Sequence, residues 1–231
     1  MSTSKIPNQP PRNIPGLLNP THPKINDYLN DLYFKKVNST LDKMHEYAAK
    51  KFFPIIGPQA GLMLKTLSLS INAKRIFEFG SGFGYSAYWF MNGIHPKGEI
   101  ICTDTKKNNH TLAYSFLGNL KNWKQVNYQI GSALDIFVKI SGKFDIIYND
   151  ANKDAYVEIW KLAKNGLKKG GFYIADNTLW HGLVTQKSIK NDFKPGWAKT
   201  IKEHNEMIIK DNQFDSFISP IHDGVLVVRK K

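Results

Sequence analysis

The spacing of apolar residues along the chain predicts two kinds of structure. Residues 25–50 and roughly 58–71 repeat apolar side chains at helical spacing, and Pro54 and the Gly57-Pro58 pair interrupt this pattern. From residue 74 onward, short apolar runs alternate with helical patterns. This alternation is typical of a doubly wound, mostly parallel sheet with helices on both faces. The sequence therefore predicts an α/β fold.

The ends of the predicted strands carry acidic residues. The predicted strands are 75–79, 99–103, 127–130, 144–148, 172–175, about 214–219 and 224–229, and the later predicted helices are 85–91, 108–121, 153–167 and 196–210. Ligands of such sheets bind beyond the carboxyl ends of the strands. Because Asp104, Asp150 and Asp176 each follow a predicted strand, we expect them to share one edge of the sheet.

Length and composition fit one domain preceded by an arm. The chain has 231 residues, of which 42% are hydrophobic, enough for one sizeable core. Residues 1–24 hold six of the 11 prolines and predict an extended arm. Residues 25–231 are predicted to form a single domain that begins with helices. No long apolar segment predicts a membrane span, and the single cysteine, Cys102, excludes an intrachain disulfide, so we expect a cytoplasmic protein.

The net charge of +13 leaves a nucleic-acid partner possible without favouring it. Only three of the 32 basic residues are arginine, the residue best suited to bidentate phosphate contacts. The lysines are spread along the chain, so a compositional bias explains the charge about as well as a binding face does.

A glycine-rich turn between a strand and a helix predicts a nucleoside pocket. Gly80, Gly82 and Gly84 allow a sharp turn and a close approach of ligand to main chain. A dinucleotide fingerprint needs glycine at position 85, where this chain has tyrosine. Asp104, 24 residues after Gly80, is placed to accept hydrogen bonds from ribose hydroxyls. An acidic, glycine-lined pocket suits the cationic cofactor S-adenosylmethionine (SAM). The alternative is that the glycines only form a tight turn between strand and helix and bind no ligand.

Two further strand ends predict a metal site. Asp150, Asp176 and Asn177 offer two carboxylates and an amide oxygen, a set that suits Mg²⁺, or else Ca²⁺ or Mn²⁺. Lys153 could lie over the same edge and act as a general base. The alternatives are helix capping by Asp150, a simple turn at Asp176-Asn177 and a solvated surface lysine.

Four segments in order resemble the cation-dependent O-methyltransferases, the family of the caffeoyl-CoA and catechol O-methyltransferases. The resemblance runs from about residue 45 to the C-terminus. The matching segments are Glu78-Phe79-Gly80-Ser81-Gly82-Phe83-Gly84-Tyr85-Ser86, Asp150-Ala151-Asn152-Lys153, Asp176-Asn177-Thr178-Leu179-Trp180-His181-Gly182 and Pro220-Ile221-His222-Asp223-Gly224.

The resemblance implies a Rossmann-like SAM-dependent methyltransferase fold with a seven-stranded sheet, an antiparallel last strand and a homodimer. It implies metal ligation by Asp150, Asp176 and Asn177 and catalytic roles for Lys153 and Asp150. The SAM contacts that it implies are Ile56, Glu78, Gly80, Ser81, Ser86, Asp104, Ala133 and Asp150.

This chain departs from the family pattern at three positions and in its arm. Asn152 replaces the usual second aspartate, Ser132 replaces a frequent aspartate beside the adenine, and His222 replaces a glycine. Neither Asn152 nor Ser132 matches a family metal ligand. The segment 1–24 matches nothing recognisable, which bears on acceptor specificity because the N-terminal segment of relatives helps to cover the substrate.

We therefore expect a metal-dependent O-methyltransferase that acts on a small vicinal diol, such as a catechol or a caffeoyl-type ring. Tyr156, Trp160, Trp180 and Trp197 are candidates for stacking on that ring, against the alternative of ordinary packing. Two other functions stay open: methylation of a hydroxylated tRNA base, and SAM binding without catalysis.

Overall fold

A computed structural model describes residues 18, 22–34, 39–187, 192 and 194–231. Its helices are α1 Pro23–Phe34, α2 Ser39–Lys51, α3 Gly57–Ser70, α4 Tyr85–Met91, α5 Lys107–Leu117, α6 Ala133–Lys139, α7 Tyr156–Gly166 and α8 Trp197–Ile209. Its strands are β1 Arg75–Phe79, β2 Glu99–Asp104, β3 Val126–Ile130, β4 Phe144–Asn149, β5 Leu167–Ala175, β6 Phe214–Ser219 and β7 Val225–Lys230. Short 3-10 helices cover Lys121–Gln125, Lys153–Ala155 and Trp180–Thr185.

The strands form one seven-stranded sheet in the order β3-β2-β1-β4-β5-β7-β6. β1 to β5 pair in parallel, and β7 runs antiparallel to both of its neighbours, β5 and β6. This confirms the predicted fold class. The order changes direction at β1 and β4, and this is where open α/β sheets form their binding crevice.

Successive residues of each strand point to opposite faces of the sheet, and helices cover both faces. Ile76, Ile100 and Ile146 pack with residues of α2, α3, α4 and α5. Phe77 and Ile147 pack with residues of α6, α7 and α8 on the other face. Because both faces are buried, the central strands β1 and β4 are mostly apolar, with Glu78 and Asn149 as buried polar exceptions.

The predicted boundary between the N-terminal arm and the first helix differs from the one in the structure. α1 begins at Pro23, so the last two residues of the predicted arm are helical. The predicted helix 25–50 is described as two helices, α1 and α2, with residues 35–38 between them outside the described residues. Most of the predicted arm also lies outside them. At Leu18, the backbone N–H donates to His181 O at 2.9 Å.

The start of β5 also differs from the sequence-based expectation. The predicted strand starts at 172, but β5 starts at Leu167, directly after α7 ends at Gly166. Gly170 and Gly171, which follow the predicted helix 153–167, lie inside the strand. A Cβ at Gly171 would come within 2.8 Å of Asp145 O, so glycine here permits close approach of the neighbouring strand, at an irregularity in the pairing.

Two further helices, α5 and α6, differ from the sequence-based expectation. α5 ends at Leu117 and not near 121. α6 was not predicted; its N-cap is Ser132, whose side chain accepts from Asp135 N at 3.3 Å. In the described part of the chain, no helix combines the length and apolarity that a membrane crossing requires.

Candidate active site

A cavity of about 810 Å³ opens at the carboxyl ends of the parallel strands. This volume lies within the range of small-molecule sites, about 300–1,000 Å³. The predicted site residues that line it are Ile56, Gly80, Ser81, Ser86, Asp104, Ala133, Asp150, Lys153, Asp176 and Asn177. One cavity thus brings together the predicted cofactor, metal and catalytic residues, apart from Glu78.

The glycine turn has the backbone that the sequence predicts. Gly80, Gly82 and Gly84 have φ of 81°, 49° and 86°, in the left-handed region that glycine adopts without strain. A Cβ at Gly80 would come within 2.7 Å of Asp150 O. Glycine at position 80 is therefore needed both for its φ and for the close approach of the chain after β4.

Asp104 is held in place by three hydrogen bonds at the end of β2. Its Oδ2 accepts from Gly82 N at 3.1 Å and from Asn109 Nδ2 at 3.0 Å, and its Oδ1 accepts from Lys106 N at 2.7 Å. Sequence reasoning missed Asn109, whose only signal is its position in the first turn of the helix after β2. The glycine turn and the ribose-binding candidate are one hydrogen-bonded unit.

Glu78 lies behind the cavity wall. Its side chain is fully buried and accepts hydrogen bonds from Ser86 Oγ and, at 3.4 Å, from Cys102 Sγ. Burial raises the pKa of Glu78 to about 7, although the hydrogen bonds from Ser86, Ser81 and Cys102 act in the opposite direction. Direct contact of Glu78 with the cofactor stays a prediction; in this structure it supports Ser86, which does line the cavity.

Lys153 and Asp150 form an ion pair on the cavity wall. Lys153 Nζ donates to Asp150 Oδ1 at 3.0 Å and to Ala151 O at 3.3 Å. The Lys153 side chain is 6% exposed and that of Asp150 is 32% exposed. Burial raises the pKa of Asp150 above its ordinary value, although Lys153 opposes this. Lys153 is therefore a buried partner of the predicted metal ligand, and the alternative of a solvated surface lysine is wrong.

A second ion pair joins Asp176 to His222. His222 Nδ1 lies 3.1 Å from Asp176 Oδ1. Burial lowers the pKa of His222, but Asp176, Asp223 and Asp150 outweigh it and raise the pKa to about 9. Burial acts to raise the pKa of Asp176, but His222 and Lys153 outweigh it and lower the pKa below its ordinary value. Sequence reasoning singled out His222 as a departure but did not find this contact.

We call Asp150, Asp176 and Asn177 the acidic rim. Among the described residues, no group of three His, Cys, Asp or Glu side chains is arranged to hold a metal. The predicted set needs only two carboxylates, since its third donor is an amide. All three rim residues line the cavity, and two cationic side chains, Lys153 and His222, already pair with the carboxylates. The donor chemistry fits a hard divalent cation.

The aromatic candidates separate into two groups. Trp180 and Trp197 line the cavity, with ring centroids 5.4 Å apart. Tyr156 and Trp160 are fully buried in the core and do not line it, so stacking on a substrate is wrong for these two. Trp160 instead packs against Phe214. Tyr156 donates to Asp176 O at 2.8 Å and thereby fixes the backbone of the acidic rim.

Proteins with similar sequences are methyltransferases. The chain is 27% identical over 207 residues to caffeoyl-CoA O-methyltransferase of Medicago sativa, spanning 85% of this chain and 84% of that enzyme. It is 26% identical over 200 residues to caffeoyl-CoA O-methyltransferase of Petroselinum crispum, spanning 82% of this chain and 83% of that enzyme.

Solved structures share the fold. An O-methyltransferase from Bacillus cereus in complex with SAH superposes with a TM-score of 0.78 at 22% identity, covering 90% of this chain and 97% of that one. The O-methyltransferase TomG from Streptomyces achromogenes, in complex with SAM, superposes with a TM-score of 0.76 at 23% identity. The superposition covers 87% of this chain and 95% of that one. The O-methyltransferase family model matches residues 33–231. The chain therefore belongs to the O-methyltransferase family of SAM-dependent enzymes.

Proposed function

We propose that this enzyme transfers a methyl group from SAM to one hydroxyl of a small vicinal diol, of the catechol or caffeoyl type, with the help of a divalent cation. One observation carries the proposal: the glycine turn with Asp104 and the acidic rim line the same cavity. A cofactor at the turn therefore lies beside an acceptor at the rim. The names of the curated relatives, caffeoyl-CoA O-methyltransferases, support the acceptor class.

The cofactor half of the site uses the backbone of the turn and Asp104. The Asp104 carboxylate is oriented by Gly82, Lys106 and Asn109 and can accept hydrogen bonds from the ribose hydroxyls. Because these partners hold it in place before the cofactor binds, little ordering entropy is lost on binding.

The acceptor half uses the acidic rim. A divalent cation held by Asp150, Asp176 and Asn177, most simply Mg²⁺, would bind two adjacent acceptor oxygens and lower the pKa of the attacking hydroxyl. Trp180 and Trp197 line the same cavity, and an aromatic ring bound there could contact them. This arrangement would hold the acceptor oxygen in line with the sulfonium methyl, and such positioning can contribute several kcal/mol, up to roughly 7–11 in the best cases.

Lys153 and Asp150 handle the proton. As the O–CH₃ bond forms and the S–CH₃ bond breaks, Lys153 in its neutral form would take the hydroxyl proton and release it to solvent. The pair is already joined at 3.0 Å and reaches the cavity, so proton transfer needs no large rearrangement. The products are the methyl ether and S-adenosylhomocysteine. A homodimer and cytoplasmic residence stay predictions from the sequence.

The test is a panel of catechols, caffeoyl thioesters and single phenols incubated with methyl-labelled SAM and Mg²⁺, Mn²⁺ or Ca²⁺. We expect labelled monomethyl ethers from vicinal diols and none from single phenols. Transfer to single phenols at the same rate would contradict the diol acceptor.

The charge of +13 leaves a second candidate open, methylation of a hydroxylated base in tRNA. A mobility-shift assay with bulk tRNA across a salt series separates the two proposals. Phosphate-driven binding must weaken steeply with salt. The small-acceptor proposal predicts no complex at 150 mM salt, about physiological ionic strength. A complex with a steep salt dependence, together with methyl transfer to the RNA, would favour the tRNA substrate.

A further inference from the structure

Four buried polar side chains are linked by hydrogen bonds behind the acidic rim. They are Asn149 at the end of β4, Tyr173 on β5, and His204 and Asn205 on α8, and we call them the buried polar chain. Asn149 Nδ2 donates to Tyr173 Oη at 2.9 Å, and Tyr173 Oη lies 2.9 Å from His204 Nε2. His204 Nδ1 lies 3.2 Å from Asn205 Oδ1. The buried polar chain therefore connects the end of β4 to α8.

Backbone groups at the two ends of the buried polar chain determine how its amides are oriented. Asn149 Oδ1 accepts from Ala151 N at 3.2 Å, so its amide nitrogen faces Tyr173. Asn205 Nδ2 donates to Thr178 O at 2.7 Å, so its amide oxygen faces the imidazole. Each amide thus joins the backbone at one end and the interior of the chain at the other.

The hydrogen bonds fit a neutral His204 with its proton on Nδ1. The Asn205 oxygen beside Nδ1 can only accept, so Nδ1 donates, and Nε2 then accepts from the Tyr173 hydroxyl. Burial lowers the pKa of His204 to about 4, although the hydrogen bond with Asn205 acts in the opposite direction, so the ring is neutral at neutral pH. Every donor along the buried polar chain therefore meets an acceptor.

The backbone partners of the buried polar chain lie next to the acidic rim. Ala151 directly follows Asp150, and Thr178 directly follows Asn177. Asn177 has a φ of 53°, in the left-handed region, where a non-glycine residue needs support from its surroundings. Because the chain joins the segment after Asp150 to the segment after Asn177, it restrains the two halves of the rim relative to each other.

We propose that His204 is a positioning residue of the acceptor end, which holds Asp150 and Asn177 at the spacing that methyl transfer requires. His204 acts through the backbone at Ala151 and Thr178 and does not need to touch the acceptor. This inference rests on the proposed function, because it requires the acidic rim to orient the acceptor. A displacement of about 1 Å in a positioning group can lower a rate by about 10²-fold.

The kinetic test compares His204→Phe with Tyr173→Phe, since both variants keep an aromatic ring and break the buried polar chain. We expect kcat to fall about 10- to 100-fold in each, while KM for SAM changes by less than about threefold. The double variant should lose no more than the worse single variant, because one break already severs the chain. Rates are expressed per SAM-binding site, counted by calorimetry, so that unfolded protein does not contribute.

Gln125→Met is the matched control for a loss of stability. Gln125 is buried and donates to His95 O at 2.8 Å and to Gly98 O at 3.1 Å, at the opposite edge of the sheet from the cavity. This variant loses buried hydrogen bonds as the two chain variants do, so it should unfold at lower urea concentration. Its kcat per SAM-binding site should stay within about twofold of the wild type.

Amide hydrogen exchange at Ala151, followed by NMR of the full chain, tests the linkage without using activity. We expect exchange about tenfold faster in His204→Phe and unchanged in Gln125→Met, because only the first variant frees the Asn149 amide to turn away. Unchanged exchange at Ala151, an unchanged kcat, or additive losses in the double variant would overturn this inference and leave the proposed function standing. If the wild type transfers methyl to no acceptor of the panel, the proposed function fails and this inference fails with it.

Discussion

The two ends of the cavity are built in different ways. At the cofactor end, one continuous segment, residues 78–86, supplies the turn, and Asp104 completes it through hydrogen bonds to backbone N–H groups. At the acceptor end, the charged side chains come from three segments far apart in sequence, 150–153, 176–177 and 222–223. These side chains neutralise each other as Asp150–Lys153 and Asp176–His222.

The two ends of the cavity therefore depend on different properties, the cofactor end on backbone shape and the acceptor end on side-chain charge. The cofactor end depends on backbone conformation, so substitutions there should act through sterics and binding. The acceptor end depends on balanced buried charges, so removing one charge leaves its partner uncompensated and removes reactivity. The following predictions test that separation, beginning with the largest expected effect.

Asp176→Asn should lower the rate of methyl transfer by about 10³-fold or more, because it removes a proposed metal ligand and the partner of His222. SAM affinity should change by less than about threefold, since the cofactor end is separate from this charge balance. Initial rates with labelled SAM and calorimetry of SAM binding measure the two effects. Asp215→Asn, at an exposed ion pair with Lys231, is the control and should keep full activity. A large loss of SAM affinity in Asp176→Asn would break the proposed separation.

Gly80→Ala should destabilise the protein by roughly 3 kcal/mol or more and abolish measurable SAM binding, because its Cβ would clash with Asp150 O. Gly196→Ala is a matched control: its φ is 88°, but nothing lies within 4 Å of the added Cβ. It should cost only the backbone strain, about 1 kcal/mol. Urea unfolding measures the loss of stability in each variant. Equal losses in Gly80→Ala and Gly196→Ala would show that the steric clash at the turn is unimportant.

Glu78→Gln should stabilise the cofactor-free protein above neutral pH. The folded-state pKa of Glu78 is raised to about 7, so its contribution to stability is fully present below its ordinary pKa, near 4.5, and is lost as pH rises through 7. The variant does not ionise and should gain up to about 3 kcal/mol over the wild type between pH 4.5 and 8. Denaturant unfolding at the two pH values measures this gain. A pH-independent difference would contradict the raised pKa.

Trp197→Leu should raise KM for an aromatic diol about tenfold, because stacking of this kind contributes about 1–1.5 kcal/mol. KM for SAM should stay within about twofold, since Trp197 is proposed to contact the acceptor and not the cofactor. Steady-state kinetics with each substrate varied in turn measures both constants. Equal increases in both KM values would show that Trp197 does not distinguish the two ends.

The sequence predicted what depends on local pattern. Gly80, Asp104 and Asp150 line the cavity, as the glycine turn and the predicted strand ends indicated. Short-range periodicity and glycine spacing determine where strands end and turns form. The early start of β5 was missed because it depends on close contact between Gly171 and a neighbouring strand. Trp160 was offered for stacking although it is in the core, since aromatic identity alone does not show which side a residue faces.

The pairing of charged side chains at the acceptor end could not be predicted from the local sequence pattern. His222 is 46 residues from Asp176, and only the antiparallel pairing of β5 with β7 brings the segment before β7 to the end of β5. The burial of Glu78 behind Ser86 likewise depends on the packing of α4 against the sheet. Both features require tertiary structure, which no local motif encodes.

The most direct test of the account is metal removal from the wild-type enzyme with a catechol acceptor. Labelled methyl transfer is measured before and after excess chelator, and again after a divalent cation is restored, with SAM binding followed in parallel. The account predicts loss of transfer with chelator, retention of SAM binding, and recovery when the metal is returned. Undiminished transfer in excess chelator would contradict a metal-assisted reaction at Asp150, Asp176 and Asn177.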